Sequence, residues 1–152
     1  MSTLEGRVAI VTGAGSGMGA ATARLLAASG AQVVCSDRSG FERKTAEEIG
    51  SSAVAIGCDV SDAEAVRSLV EQTVERWGRL DVMCNAAGIV DPTARPIADY
   101  DIDEFDRVVS INLRGTFLCL KFGIAAMLPQ GVGSIVNWAS LTSFIGVATA
   151  PA

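Results

Sequence analysis

The chain has 152 residues, 49% hydrophobic and 19% charged, with 12 basic against 17 acidic side chains and a formal net charge of -5. That apolar content, with a mean hydropathy of +0.38, excludes a disordered chain, and without a basic run nucleic acid is not an expected partner. The length fits one domain, residues 1–152, large enough to bury a core.

The first seven residues hold no apolar signal core, and later apolar stretches are broken by Gly, Asn, Arg or Ser short of the ~18 residues of a membrane span. A cytoplasmic protein with no membrane partner is therefore expected. Residues 7–11 read as a first strand, apolar enough to be covered on both faces. A glycine-rich loop follows, then a helix to about Ser29 with Gly30 as its stop. Residues 31–36 form the second strand, ended by Asp37, and residues 39–49 a short charged helix ended by Gly50. Residues 53–58 form the third strand. Ser61-Asp62-Ala63-Glu64 has the form of a capping box. The helix it opens presents Ala65, Leu69, Val70 and Val74 on one face and stops near Trp77-Gly78. Residues 80–84 are the fourth strand, and a loop with Pro92 and Pro96 runs to Tyr100. Asp101-Ile102-Asp103-Glu104 opens a long helix to about Leu128, stopped by Pro129. Residues 134–138 are the fifth strand, and residues 140–152 are small, with no clear period.

Strands alternating with helices predict a doubly wound α/β domain, a parallel sheet covered on both faces. Right-handed crossovers give the order 3-2-1-4-5, with a ligand crevice at the switch between strands 1 and 4. Thr12-Gly13-Ala14-Gly15-Ser16-Gly17-Met18-Gly19 lies between a strand and a helix, where backbone N–H groups and a helix N-terminus meet a phosphate. The same glycines also suit tight helix–strand packing alone. Asp37, closing the second strand, is placed to accept hydrogen bonds from a ribose, although a solvated turn residue would look the same. Its charge would repel a 2′-phosphate, whereas a guanidinium at Arg38 could bind one. Asn112 falls on the expected inward face of the long helix, where a buried amide must be paired. Cys35, Cys58, Cys84 and Cys119 are far apart and read as reduced core residues. With no C-x-x-C pair and no histidine, no metal site is expected, and Ser-His-Asp and Cys-His chemistry is excluded. A P-loop hydrolase is excluded too, because no lysine follows the glycines.

The glycine loop, Asp59-Val60, Asn85-Ala86-Ala87-Gly88, Asn112 with Gly115, and Ser134-Ile135-Val136-Asn137-Trp138-Ala139-Ser140 together resemble the signatures of the short-chain dehydrogenase/reductase family over the whole length. They are similar to its T-G-x-x-x-G-x-G loop, its D-V pair, its N-N-A-G segment with alanine replacing the second asparagine, its helical N-x-x-G and its strand before the catalytic serine. The resemblance implies a Rossmann-like domain and an NAD(H)-dependent oxidoreductase acting on a small alcohol or carbonyl. By it, Gly13, Gly15, Ser16, Gly17, Met18 and Gly19 hold the pyrophosphate. Asp37, with Arg38 beside it, sets NAD over NADP, and Cys58, Asp59 and Val60 meet the adenine. Asn85, Ala86, Ala87 and Gly88 pass under the ribose. Ser140, with Ser143 as the fallback, orients substrate, and Asn112 holds a water in a proton relay. For Asp59 a helix-preceding turn residue, and for Asn112 a structural amide, are the competing readings. The long helix has apolar residues on more than one face, Val108, Val109, Leu113, Phe117, Leu118, Leu120 and Phe122; one face covers the sheet, and the other is either the surface of a homo-dimer or homo-tetramer, as the resemblance implies, or part of one broad buried face.

The family's Tyr-x-x-x-Lys would fall just past Ala152, and Tyr100, the one tyrosine, is followed four residues on by Glu104. The sequence is therefore expected to be the cofactor-binding front of a longer enzyme, with the C-terminal part of the fold missing. Alone it would be inactive and would carry an open sheet edge. The competing reading is an NAD-binding module without chemistry. The intact mass of the natural protein separates them. A value clearly above 15.7 kDa, with the tyrosine and lysine beyond position 152, is expected, and a value near 15.7 kDa leaves a binding module or an inactive fragment.

Overall fold

The computed structural model describes residues 3–91 and 95–140. Pro92, Ser143 and the rest of the stretch 141–152 lie outside the described residues. A five-stranded, all-parallel sheet has the order β3-β2-β1-β4-β5, as the alternating pattern predicts. The strands are β1 (Val8–Thr12), β2 (Gln32–Asp37), β3 (Ala53–Gly57), β4 (Val82–Asn85) and β5 (Ser134–Asn137). The helices are α1 (Gly17–Ala28), α2 (Glu42–Ile49), α3 (Ala63–Trp77), α4 (Ile102–Val109) and α5 (Thr116–Met127).

Alternation along the strands divides the core. Ala9, Val11, Val33, Cys35 and Cys84 pack with Ala23 of α1 and Ala46 of α2. Ile10, Val34 and Met83 face the other way, onto Leu69 of α3 and Leu118 and Met127 of α5. The α1 side is built from small residues, so that helix lies close to the sheet. Register pairs Thr12 with Ser36 and Asn85, and Asp37 with Gly57, so the strands end together along one edge. These polar residues belong to the strands, which run one residue further than the apolar pattern suggests, because ladder pairing does not depend on side-chain polarity. All four cysteines are buried and unpaired.

Three local expectations are corrected. The cap of α3 is Asp62, whose Oδ1 accepts from the amides of Glu64 at 2.9 Å and Ala65 at 3.4 Å, while the Ser61 hydroxyl donates to Asp59 instead. Val66, not Ala65, joins Leu69 and Val70 on its buried face. The short second helix begins at Glu42 rather than residue 39, because Ser39 and Gly40 turn the chain: the Ser39 amide donates to Asp37 and Gly40 has φ +85.

The long helix is α4 and α5 joined by a π-helical turn, Ser110–Gly115, and Pro129 sits in a 3₁₀ turn that Gly131 ends at φ 69. The helical run Ile102–Gln130, 29 residues with an apolar window of mean hydropathy 1.4, is long and apolar enough to cross a membrane. Its extent agrees with the helix expected from Asp101 to about Leu128; the Gly, Asn, Arg and Ser residues that break the apolar run in sequence do not break the helix. Here one side packs as a core helix through Val108, Ile111, Leu118, Cys119 and Met127, while Leu113, Phe117 and Ile124 stay exposed.

At the opposite strand ends, Asp81 fastens three strands. Its backbone N–H donates to Val8 and its carbonyl accepts from Ser134. Its carboxylate accepts from Arg7 at 2.8 Å, from the Val8 amide at 3.0 Å, and from Arg79 at 2.6 and 2.7 Å. Burial alone would raise its pKa, but the bonds from Arg79, the Val8 amide and Arg7 outweigh it and hold the value at about 2, below 3.8. The charged form is the one tied to the fold, so its stabilisation is complete above about pH 4 and is lost as pH falls toward about 2. Asp81→Asn is expected to lower stability at pH 7 by about 1–3 kcal/mol, because the half-exposed arginines are partly solvent-screened. The same change should flatten the stability loss between pH 4 and pH 2, read by urea midpoints across that range.

Candidate functional site

A crevice of about 230 Å³ opens at the C-terminal ends of β1, β2 and β4. Its base is Gly13, Ser16, Gly17, Met18 and Gly19. One wall is Asp37, Arg38, Cys58, Asp59 and Val60, and the other is Ala86, Ala87, Gly88, Ile89 and Ile111. This is the switch point where the chain leaves β1 in one direction and β4 in the other, the place where open α/β sheets bind ligands. Of the sequence-selected residues, Gly15, Asn85, Asn112 and Ser140 are not on the lining. Ile89 and Ile111 are on it and were not selected. Each adjoins a selected residue, Gly88 or Asn112, and an apolar side chain there carries no chemical signal of its own.

The glycines divide by role. A Cβ on Gly19 would lie 2.1 Å from the Gly13 carbonyl oxygen, and one on Gly13, at φ +68, would lie 2.7 Å from that of Ala86. These two are required by the chain's own packing. Gly17 has open space and φ +51, and it begins α1. Beside it, Ser16 is the N-cap residue of α1 but makes no side-chain cap, and the first turn carries no acid. α3 and α4 are capped by Asp62 and Asp101, and α2, which also lacks a side-chain cap, carries Glu42 in its first turn. The helix whose N-terminus faces the crevice thus keeps its first amides and positive dipole end for something other than its own side chains.

On the adjoining wall, Asp37 accepts from the Gly15 amide at 3.1 Å through Oδ2 and from the Ser39 amide at 2.9 Å through Oδ1. Two amides fix the carboxylate, and each oxygen keeps a lone pair for a ligand. A Cβ on Gly15 would press that carboxylate at 2.9 Å, so Gly15 shapes the site from behind. Asp59 accepts from the Ser61 amide at 2.9 Å, from the Ser61 hydroxyl at 2.7 Å and from Arg38 at 3.3 Å. The Ser61 hydroxyl, then its amide and Arg38, hold the Asp59 carboxyl below its usual range against the opposing effect of burial. Burial pushes the Cys58 thiol up to about 11, so it is neutral in the wall.

Thr12 joins β1 to the segment after β4. Its hydroxyl accepts from the Ala87 amide at 3.2 Å and lies 3.4 Å from the Cys84 carbonyl, a tie that serves where alanine occupies position 86. Asn85 is buried, with its amide donating to Asn137 Oδ1 at 2.8 Å and its own Oδ1 without a partner. Ser140, exposed, lies past the end of β5.

Asn112 is exposed rather than buried, yet it is paired on both sides: its Oδ1 accepts from the Ile89 amide at 2.9 Å and its Nδ2 donates to the Ile89 carbonyl at 2.8 Å. The π-helical turn rotates it toward that loop, and the Thr116 hydroxyl takes up the Asn112 carbonyl at 2.7 Å. A Cβ on Gly88 would lie 3.4 Å from Asn112 Oδ1.

The family model described as short chain dehydrogenase matches residues 7–152. The chain is 41% identical to secoisolariciresinol dehydrogenase of Forsythia intermedia, over 94% of this chain and 52% of that protein. It is also 41% identical to 2,5-dichloro-2,5-cyclohexadiene-1,4-diol dehydrogenase of Sphingobium indicum, over 97% of this chain and 59% of that protein. The solved structure of levodione reductase superposes with a TM-score of 0.92 at 38% identity, covering 97% of this chain and 59% of that one. The chain thus spans somewhat over half the length of these relatives.

Replacing Asn112 by leucine leaves the Ile89 N–H and C=O without their side-chain partners. An expected cost of about 1–2 kcal/mol follows, since Ile89 is half-buried and water replaces part of the bonding. Faster hydrogen exchange at the Ile89 amide, with a fall of a few degrees in melting temperature, checks this.

Proposed function

The chain belongs to the short chain dehydrogenase family, and from that premise we propose that it binds NAD(H) in the crevice and serves a hydride transfer between nicotinamide and a small alcohol or carbonyl substrate. Membership gives the oxidoreductase class, a nicotinamide cofactor and a small-molecule substrate. The choice of NAD rests on one observation: the Asp37 carboxylate, fixed by the Gly15 and Ser39 amides at the end of β2.

The residues present fit such a cofactor. The uncapped N-terminus of α1, with Gly17, Met18, Gly19 and the Ser16 hydroxyl, suits the two negative charges of a pyrophosphate. Asp37 has free lone pairs for both adenosine ribose hydroxyls, and its charge repels a 2′-phosphate, so NADP is disfavoured. Cys58, Asp59 and Val60 form the adenine side, and Asn85, Ala86, Ala87 and Gly88 bring small residues and backbone to the ribose. When bound, the nicotinamide ring supplies or accepts the hydride.

Ser140, following β5, orients the substrate oxygen. Asn112 keeps one amide hydrogen and one lone pair after bonding Ile89, enough to hold a water for proton transfer. The exposed Leu113, Phe117 and Ile124 on one side of the α4–α5 helix supply an apolar face for a second copy, giving a homo-dimer or homo-tetramer. The four cysteines, buried and unpaired, suit a reducing, cytoplasmic setting.

Titration of the complete protein with NADH and NADPH tests the reading, and tighter binding of NADH is expected. Asp37→Ala should weaken NADH binding about tenfold, the loss of charge-assisted hydrogen bonds to ribose, and bring the two affinities closer. An NADH:NADPH ratio that does not move with this substitution would show that Asp37 does not read the ribose.

A further inference from the structure

Among the described residues that line the crevice, Arg38 is the one cation. It stands next to Asp37, where a 2′-phosphate on the adenosine ribose would need a positive charge. It is not turned to receive one. Its Nη1 lies 3.3 Å from Oδ2 of Asp59, at the end of the neighbouring strand.

The acceptor is itself held in place. Oδ1 of Asp59 takes both the Ser61 amide and the Ser61 hydroxyl, which leaves Oδ2 facing Arg38. The Ser61 carbonyl accepts from Arg114 in the π-helical turn, and Gly115 in that turn lies so near Val60 that a Cβ would stand 2.7 Å from the valine side chain. The loop carrying Asp59 is thus pinned from the helix beneath it. Arg38 is anchored to a fixed charge rather than to a side chain that moves with it.

We propose that Asp59 selects against the 2′-phosphorylated cofactor through Arg38: it holds the guanidinium on the β3 side, so the repulsion from Asp37 meets no opposing cation. Asp59 is in this respect a positioning residue for specificity, beyond any contact with the adenine. The proposal rests on the NAD(H) reading above, and the two are separable. Adenine is common to both cofactors, so a lost adenine contact cancels from the ratio of NADPH to NADH affinities, whereas a freed Arg38 does not.

The experiment is fluorescence titration of the complete protein with NADH and with NADPH, for the wild type, Asp59→Asn, Arg38→Gln and the double variant. Asp59→Asn keeps an acceptor for Ser61 and removes the charge that holds Arg38. It is expected to move the affinity ratio toward NADPH by about tenfold, one charge-assisted contact to phosphate. The double variant should return the ratio to within about twofold of wild type, and Arg38→Gln alone should leave it there, since the engaged guanidinium contributes nothing to phosphate binding.

An unmoved ratio in Asp59→Asn, or a shift that survives in the double variant, overturns the proposal. Should Asp59→Asn not fold, Arg38→Gln decides, because a selective loss of NADPH binding there means that Arg38 was available all along. A wild type that prefers NADPH sinks the NAD(H) reading and this proposal with it. A wild type that prefers NADH, with an unmoved ratio in Asp59→Asn, sinks this proposal alone.

Discussion

The turn from β1 into α1 has no spare volume, and much of the molecule follows from that. A methyl group at position 19 would sit 2.1 Å from the Gly13 carbonyl oxygen, and one at position 13 would strike the backbone after β4 at 2.7 Å. Three backbone segments therefore meet with only hydrogen atoms between them. The close approach brings α1 down on β1, and the core on that side is accordingly alanine-rich: Ala9, Ala14, Ala23, Ala31 and Ala46. The opposite layer, under α3 and α5, is filled by the larger Ile10, Leu69, Leu80, Met83, Leu118 and Met127. Holding α1 close also places its N-terminus over the strand ends. The packing constraint and the anion-binding geometry are two results of the same glycines.

Around that N-terminus the charges are few and each is committed. Asp37 accepts two backbone amides, Asp59 accepts the amide and hydroxyl of Ser61, and Arg38 pairs with Asp59. The thiol of Cys58 adds no charge. Among the described residues, the start of α1 and the outer lone pairs of Asp37 face the crevice, a donor array beside an acceptor. That arrangement suits a ligand with an anionic centre and neighbouring hydroxyls, and it disfavours a second anionic group at the hydroxyls.

The sheet order, its covering on both faces and most of the crevice were legible because they depend on signals that recur: buried strands read as apolar runs, helices as a longer period, and backbone crowding as glycine. What escaped were choices between equivalent local partners. Ser61 and Asp62 both make good helix caps. The outcome turned on Asp59, which captures the Ser61 hydroxyl and leaves the cap to Asp62. The orientation of Arg38 was open for the same reason, since its partner lies in the loop after another strand. Ser39 looked helical because its role as a turn former depends on Asp37 accepting its amide. Asn112 was rightly expected to be paired but wrongly expected to be buried, because helical spacing assumes an unbroken α period and the turn around it is a π-helix.

That irregular turn is where the two walls of the crevice come together. Asn112 bonds both backbone groups of Ile89, on the β4 side, while Arg114 and Gly115 meet Ser61 and Val60, on the β3 side. In a regular helix, residues three apart share one face. The wider π-helical turn lets Asn112 face one loop and Gly115 the other, with the Thr116 hydroxyl satisfying the Asn112 carbonyl. The loop carrying Asp59 and the loop carrying Gly88 are thereby fixed to one rigid element rather than to each other. The width of the crevice is then set by the helix, and the buried Ile111 within the same turn closes its inner end.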